Sequence, residues 1–216
     1  MPEPASTLPR VFLVDDQPQV LKALARVVAA GGFDAVTFTS AQAFLDSAHA
    51  SDAGCVVLDL AMPGMDGMAL QQALLARCCL LPLVFLTGYG DLASGVAAMK
   101  HGAFDFLAKP VEALQLLEVV AAALAHNRTT RAAAAQRQHA MRLIDSLSRR
   151  EREVLALIVD GKLNKQIAAQ FGTVEKTVKA QRASLMQKPG ADNVAALVRL
   201  WDAAHAPGWP VPMQVE

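Results

Sequence analysis

Short apolar runs alternate with amphipathic stretches along the first 125 residues. The apolar runs predict five strands, at residues 11–14, 33–38, 55–58, 83–86 and 104–107. Apolar residues that recur every three or four positions predict helices at 18–30, 41–48, 65–77, 91–101 and 110–124. Strands that are apolar throughout are covered on both faces. The pattern therefore predicts an α/β fold, a doubly wound five-stranded parallel sheet with right-handed crossovers.

The pattern changes after residue 125. Residues 126–146 are rich in Ala, Arg and Gln and contain neither Gly nor Pro, which favours a helical linker over an unstructured hinge of the same length. From residue 147 every predicted element is a helix, and Ser148 with Glu151 forms a capping box that opens the first one. Asn164 and Asn193 are the predicted caps of two later helices. Two short helices around a Gly-containing turn indicate a helix-turn-helix, so we expect domains at 10–125 and 147–206.

Composition excludes several classes of protein. The 216 residues are 53% hydrophobic and 19% charged, which is typical of globular domains rather than disordered chains. No apolar run reaches eighteen residues, and the first ten residues do not predict a secretion signal. Three cysteines inside apolar segments indicate reduced thiols rather than a disulfide framework, and their spacing is not that of a zinc site. We therefore expect a cytoplasmic protein that does not meet a membrane.

The net charge of zero hides a division. Residues 1–128 hold 7 basic and 12 acidic side chains, whereas residues 129–216 hold 13 basic and 8 acidic ones. An acidic half joined to a basic half indicates two modules with different partners. The basic half is a candidate for nucleic-acid binding, although a merely solvated basic surface gives the same count.

Chemistry-bearing side chains follow the ends of four predicted strands. They are Asp15 with Asp16, Asp59, Thr87 and Lys109. Parallel strands bring their carboxyl ends to one edge, where functional crevices lie. Three close carboxylates repel one another unless a cation sits among them, and Mg²⁺ is the hard ion that suits oxygen ligands. With a lysine and a hydroxyl nearby, this set predicts an aspartate nucleophile that carries an acyl phosphate. Taken one by one, the residues have a simpler interpretation: Asp15 and Asp16 as turn residues and Lys109 as a solvated lysine.

Four motifs resemble the receiver domain of response regulators, which has a flavodoxin-like fold. They are VFLVDDQP at 11–18, VVLDLAMPGMDG at 56–67, VFLTGYGD at 84–91 and GAFDFLAKP at 102–110. The resemblance implies that Asp59 accepts phosphate from a sensor histidine kinase. It also implies that Asp16, Asp59 and the backbone carbonyl of Ala61 hold Mg²⁺, with Asp15 acting through water.

The same resemblance implies a switch. Thr87 and Lys109 would grip the phosphoryl oxygens, and Phe106 stands at the position of the rotating switch aromatic. The Lys109–Pro110 bond is typically cis in the family, and Ala61 and Tyr89 stand where side chains tune dephosphorylation. Phosphorylation would change the face formed by residues 91–107, which would then pair with a second copy to give a homodimer.

The basic half resembles a LuxR-type helix-turn-helix. The carriers are LSRREREVLALIVDGKLNKQIA at 147–168 and EKTVKAQRASLM at 175–186, and together with a receiver they resemble the NarL/FixJ class of transcription factors. The resemblance places the helix at 174–187 in the major groove of double-stranded promoter DNA. The positions expected to face bases or phosphates are Lys165, Lys176, Thr177, Lys179, Ala180, Arg182 and Ala183. RNA polymerase is a further candidate partner.

Three departures from the family pattern stand in this module: Val174 replaces a frequent Ser, Gln181 a usual His and Pro189 a common Leu. Pro189 cannot continue a helix, so the recognition helix should end near residue 187. The competing interpretation is a receiver-controlled adaptor that binds protein and does not read DNA. An enzyme, a Mg²⁺-dependent phosphatase of the haloacid dehalogenase type, is disfavoured because Ala61 stands where that class needs a second Asp.

Overall fold

The computed structural model describes residues 8–47, 52–88, 97–187 and 193–206. Within these ranges the chain divides into two compact units, the first ending at Arg131 and the second beginning at Ala132. None of the helices in the described ranges is long and apolar enough to cross a membrane.

The first unit is built on a five-stranded sheet in which every strand pair is parallel. Its strands are β1 (Arg10–Val14), β2 (Asp34–Phe38), β3 (Cys55–Asp59), β4 (Leu83–Thr87) and β5 (Asp105–Ala108). Its helices are α1 (Pro18–Ala30), α2 (Ala41–Ser47), α3 (Gly67–Ala76) and α4 (Ala113–Asp145), the last of which ends in the second unit. The strand order is β2-β1-β3-β4-β5, so the order reverses between β1 and β3. The predicted doubly wound fold is confirmed.

Two separate apolar cores cover the two faces of the sheet. On one face Phe12, Leu58 and Phe85 pack with residues of α2 and α3. On the other face Leu13 and Val57 pack with residues of α1 and α4. Alternate residues of one strand therefore belong to different cores, because successive side chains of a strand point to opposite faces.

Most predicted elements recur with their ends moved by one or two residues. Helix α3 begins at Gly67 rather than residue 65, because the Asp66 side chain accepts a hydrogen bond from the Ala69 N–H at 2.7 Å and caps it. Pro110 does not open the next helix: α4 begins at Ala113 and continues through the predicted linker to Asp145. Residues 97–100 are helical, and the rest of the helix predicted at 91–101 lies mostly outside the described residues.

The second unit contains α5 (Arg149–Val159), α6 (Asn164–Gln170), α7 (Glu175–Gln187) and α8 (Val194–His205). Leu155, Ile167, Val178, Leu185 and Leu197 are fully buried at its centre. The short turn between α6 and α7 passes through Gly172 at φ +61°, a left-handed conformation that glycine adopts without strain. The all-helical prediction for this part of the chain is confirmed.

Two of the three predicted helix caps of the second unit are confirmed and one is wrong. The Ser148 hydroxyl accepts from the Glu151 N–H, and the Glu151 carboxylate accepts from the Ser148 N–H, which is the predicted capping box. Asn193 caps α8 through the Ala196 N–H. Asn164 does not cap α6, because Leu163 is the capping position and its N–H donates to the side-chain carbonyl of Gln166.

Candidate functional site

The carboxyl edge of the sheet gathers the side chains that follow the strands. Asp15 comes directly after β1, Asp59 is the last residue of β3, Thr87 is the last of β4, and Lys109 comes directly after β5. The residues Asp15, Asp59 and Thr87 are buried, because each lies at the end of a strand that is covered on both faces. The crevice lies at the switch point between β1 and β3, the usual place for a ligand in such a sheet.

Lys109 bridges two carboxylates. Its Nζ lies 2.7 Å from Asp15 Oδ2 and 3.1 Å from Asp59 Oδ1. The lysine side chain is 25% exposed, whereas those of Asp15 and Asp59 are 1% and 9% exposed. The second oxygen of Asp15 accepts a hydrogen bond from the Gln17 N–H at 2.8 Å. Asp15 is therefore held by hydrogen bonds on both oxygens, and its side chain is less exposed than that of Asp59.

The carboxylates of Asp15, Asp16 and Asp59 form one cluster. One oxygen from each lies within 4.8 Å of the others. Asp16 is partly exposed, so the cluster opens to solvent on its side. An all-oxygen donor set with one open side fits a small divalent cation that keeps several of its waters, as Mg²⁺ does.

Burial and neighbouring charges have opposing effects on the pKa values of Asp59 and Lys109. Burial raises the pKa of Asp59 above its ordinary value, Lys109 lowers it in part through a hydrogen bond, and Asp15 adds a repulsion that raises it. For Lys109, burial opposes the charge, but hydrogen bonds to Asp15 and Asp59 outweigh burial and raise its pKa. The lysine therefore stays protonated, and the Asp59 carboxylate is more basic than an aspartate in water.

The backbone after Asp59 is tightly fixed. The Leu60 N–H donates to the Leu86 carbonyl at 3.0 Å, and the Gly67 N–H donates to the Leu60 carbonyl at 3.0 Å. A Cβ on Gly67 would lie 2.8 Å from the Asp59 carbonyl oxygen, so only glycine allows α3 to begin this close to β3. Ala61, whose carbonyl is a predicted metal ligand, is exposed two residues after Asp59.

Thr87 and Lys109 are joined through the backbone. The Lys109 N–H donates to the Thr87 carbonyl at 2.7 Å, which continues the pairing of β4 with β5 past the strand end. The Lys109–Pro110 peptide bond is cis, as the receiver resemblance implies. Phe106 is half-buried on β5 beside Phe85 of β4, and packs against the core that α2 and α3 cover. Tyr89 lies outside the described residues.

The second unit presents a polar, cationic helix face. Lys176, Thr177, Lys179, Ala180 and Ala183 are all exposed on α7, whereas Val178 and Leu185 on its opposite side are buried. Positions 176, 179, 180 and 183 share one side of a helix because they are three or four residues apart. Five of the six predicted contact positions on α7 are therefore exposed, and Lys165 is likewise exposed on α6.

Side-chain contacts that sequence reasoning missed hold α7 in place. Arg182, predicted to contact phosphate, is partly buried, and its Nη1 donates to Asn164 Oδ1 at 2.8 Å. Ser184 donates to Glu151 Oε1 at 3.1 Å, which ties α7 to the capped start of α5. These pairs are 18 and 33 residues apart along the chain, and no local motif indicates them.

Comparisons with known proteins agree with this geometry. Residues 11–121 match the family model described as response regulator receiver domain, and residues 145–201 match bacterial regulatory proteins, luxR family. The transcriptional regulatory protein TdiR of Thauera aromatica is 42% identical, over 87% of this chain and 83% of that protein. The transcriptional regulatory protein FixJ of Azorhizobium caulinodans is 38% identical over 93% of both chains.

Solved structures give the same result. The low-resolution structure of the response regulator StyR is similar with a TM-score of 0.80 and 40% identity, over 90% of this chain and 98% of that one. Full-length FixJ from B. japonicum is similar with a TM-score of 0.56 and 35% identity, over 91% of this chain and 97% of that one. The chain therefore belongs to the response regulators that join a receiver domain to a LuxR-type DNA-binding domain, a family of transcriptional regulators rather than enzymes.

Proposed function

We propose that Asp59 is the phosphoryl acceptor of this regulator. A carboxylate oxygen of Asp59 attacks the phosphorus of a phosphohistidine on a sensor kinase, the new O–P bond forms as the N–P bond breaks, and the proton needed by the leaving imidazole comes from solvent. The single observation that carries the assignment is the position of Lys109 Nζ, 3.1 Å from Asp59 Oδ1. Burial raises the basicity of this carboxylate, which favours it as the nucleophile.

The neighbouring residues take distinct roles in this proposal. Lys109 neutralises charge on the transferred group as a compact point charge. Thr87 supplies a hydroxyl that donates to a phosphoryl oxygen. Phe106, half-buried beside Phe85, is the aromatic side chain that changes position as Thr87 moves toward the phosphoryl group.

Asp15, Asp16, Asp59 and the carbonyl oxygen of Ala61 would hold Mg²⁺. The all-oxygen set and its close spacing support this choice of ion. When bound, the ion neutralises charge between the acceptor carboxylate and the incoming phosphoryl oxygens. Lys109 Nζ and the Gln17 N–H both donate to the Asp15 carboxylate, which fixes the orientation of one member of this donor set.

Phosphorylation would then act on the second unit through dimerisation. The face at residues 91–107 pairs with a second copy in this proposal, and residues 97–107 of it lie within the described ranges. A dimer presents two copies of α7 to two half-sites of double-stranded promoter DNA. Lys179, Ala180 and Ala183 face bases; Lys165, Lys176 and Thr177 contact phosphates; and Arg182 contacts phosphate only on leaving Asn164. In this proposal the complex recruits RNA polymerase in the cytoplasm. The receiver domain spans 10–125, the linker 126–146 and the DNA-binding domain 147–206.

The acceptor is tested with acetyl phosphate and Mg²⁺. Wild-type protein should gain one phosphoryl group, measured by intact mass, and Asp59→Asn should gain none. Asp46→Asn removes an exposed carboxylate on α2 and serves as the matched control, which should label as fast as wild type. Equal labelling of Asp59→Asn and wild type would place the acceptor elsewhere.

DNA binding is tested by gel shift on the region upstream of the gene that encodes the chain. Acetyl phosphate should tighten binding, and Lys179→Ala should weaken specific binding by about 1–3 kcal/mol if Lys179 reads a base. Lys22→Ala changes an exposed lysine of α1 and should leave binding unchanged. An equal loss on all sequences would make Lys179 a phosphate contact. Absence of binding with or without phosphate would favour the protein-binding adaptor.

A further inference from the structure

The first unit has a cavity at the edge of the sheet opposite the acidic cluster. Arg10 is the first residue of β1 and Gly54 directly precedes β3, so the cavity borders the amino ends of these strands, whereas Asp15 and Asp59 follow their carboxyl ends. Its volume is about 500 Å³, which is within the range that small-molecule sites occupy. Residues 124–131 of α4 form its other side.

Three arginines line this cavity. Arg10 comes from β1, and Arg128 and Arg131 lie three residues apart on α4, so they share one helix face. None of the described lining residues is acidic. Residues 1–128 carry an excess of acidic side chains, so three arginines around one cavity stand out against the charge of the unit.

The arginines have weak competition for a ligand. Asp34 lies 3.9 Å from Arg10 Nε, and the two side chains are 33% and 49% exposed. An ion pair at this distance and exposure contributes about 0–1 kcal/mol, so an anionic ligand can displace it. Asp52 is close in sequence to the lining residue Ala53 but does not itself line the cavity.

A rigid polar anchor fixes the helix that carries two of these arginines. Asn127 is 2% exposed; its Oδ1 accepts from the Gly54 N–H at 3.1 Å and its Nδ2 donates to the Leu80 carbonyl at 2.7 Å. Both the amide oxygen and the amide nitrogen are thus used to join α4 to the segments before β3 and β4. Arg128 follows Asn127 directly in the chain, so this anchor fixes the part of α4 that carries Arg128 and Arg131.

We propose that this cavity is a binding site for a small anion that carries two or more carboxylate or phosphoryl groups. Guanidinium groups bind both kinds of oxyanion through paired hydrogen bonds, and three of them call for a ligand with more than one negative group. Leu8 and Leu124 also line the cavity, and they offer apolar contacts to the carbon skeleton of such a ligand. The site is separate from the acidic cluster and would report a metabolite rather than a phosphorylation event.

The test uses pyrophosphate and citrate as probes of the two oxyanion classes. Full-length protein is titrated with each probe in EDTA at constant ionic strength, and binding is followed by calorimetry and by the amide resonance of Gly54. Asp59→Asn is titrated in parallel, so that binding at the acceptor site is recognised. We expect saturable binding of at least one probe, a shift of the Gly54 resonance and an unchanged affinity in Asp59→Asn.

Two variants decide whether the cavity is the site. Arg128→Gln with Arg131→Gln should weaken the affinity by tenfold or more, since the charge-assisted hydrogen bonds of one guanidinium correspond to about tenfold. Arg26→Gln removes an exposed arginine of α1 and should leave the affinity unchanged. No saturable binding of either probe, equal loss in all variants, or no change in the double variant would each overturn the proposal. Binding of pyrophosphate but not citrate, or the reverse, identifies which oxyanion class the site takes.

Discussion

Replacing Lys109 with methionine tests the electrostatic design of the acidic cluster. Methionine keeps most of the apolar length of lysine and removes the ammonium group that contacts Asp15 at 2.7 Å and Asp59 at 3.1 Å. The variant therefore leaves two buried carboxylates without their shared cation. Lys100→Met, at an exposed lysine in the first unit, is the matched control.

The size of the effect follows from these distances. At an effective dielectric constant of about 20, the two attractions amount to roughly 6 and 5 kcal/mol before desolvation. The carboxylate oxygens of the cluster lie within 4.8 Å of one another, which corresponds to a repulsion of about 3 kcal/mol or more for a pair. Desolvation cancels most of the attraction, and breaking a buried ion pair typically costs about 3–5 kcal/mol. Since Lys109 is 25% exposed, we expect the lower end, about 3 kcal/mol, in the absence of divalent metal.

The loss should depend on pH in a defined direction. Without Lys109 the folded-state pKa of Asp59, already raised by burial, rises further. A group whose pKa is higher in the folded than in the unfolded state contributes stability below its unfolded pKa and loses it as pH rises through the folded pKa. The deficit of Lys109→Met relative to wild type is therefore smaller at pH 5 than at pH 7.5.

The assay is urea denaturation in EDTA, with hydrogen exchange of the β3 and β4 amides reporting on the sheet alone. Adding Asp15→Asn to Lys109→Met should restore about 1–3 kcal/mol, because it removes the repulsion that the lysine had screened. Mg²⁺ should restore part of the loss in the single variant. If Lys109→Met is as stable as Lys100→Met in EDTA at pH 7.5, the bridge contributes nothing and the reasoning is wrong.

Three further predictions concern packing and thiols. Gly67→Ala should cost about 1–3 kcal/mol and slow labelling of Asp59 by acetyl phosphate, because the new Cβ meets the Asp59 carbonyl at 2.8 Å; urea midpoints equal to those of Gly88→Ala, where a Cβ meets nothing, would contradict this. Cys78 has φ +53° at the end of α3, so Cys78→Gly should gain about 1 kcal/mol in thermal unfolding and Cys78→Ser nothing. Burial raises the pKa of Cys55 to about 12 and that of Cys79 above its ordinary value, so iodoacetamide at pH 8 should label only Cys78 in folded protein; fast labelling of all three without urea would refute this.

The sequence pattern predicts the functional edge of the sheet because residues that directly follow parallel strands lie at the same edge. Asp15, Asp59, Thr87 and Lys109 each lie at a strand end, and the parallel pairing of these four strands brings those ends together. Strand and helix periods predict this much without any knowledge of side-chain contacts. The pattern could not show that Lys109 reaches Asp15 as well as Asp59, because that depends on distances between side chains 94 residues apart.

The errors have a similar origin. Asn164 has the composition of a cap, but Gln166 reaches back to the Leu163 N–H and fixes the helix start one residue earlier. Asn164 instead accepts from Arg182, a contact between two helices that propensity does not encode. No sequence motif indicates the arginine-lined cavity either, since Arg10 and Arg128 are far apart in the chain and line one cavity only in the folded protein.

The number of hydrogen bonds that Lys109 and Thr87 can make limits the free energy with which a phosphoryl group could drive a conformational switch. Moving a two-state equilibrium from 1:99 to 99:1 needs about 5.5 kcal/mol of differential interaction. Hydrogen bonds to charged groups contribute roughly 1.5–3 kcal/mol each, so about two to four new ones to the phosphoryl oxygens are needed. Lys109 and Thr87 are the residues proposed to make them, and a 2.7 Å hydrogen bond from the Lys109 N–H to the Thr87 carbonyl joins the ends of β4 and β5. If a phosphoryl group on Asp59 displaces one of these strand ends, the hydrogen bond would pass the displacement to the other. Phe106, which lies on β5 three residues before Lys109, is the large side chain that we propose to respond.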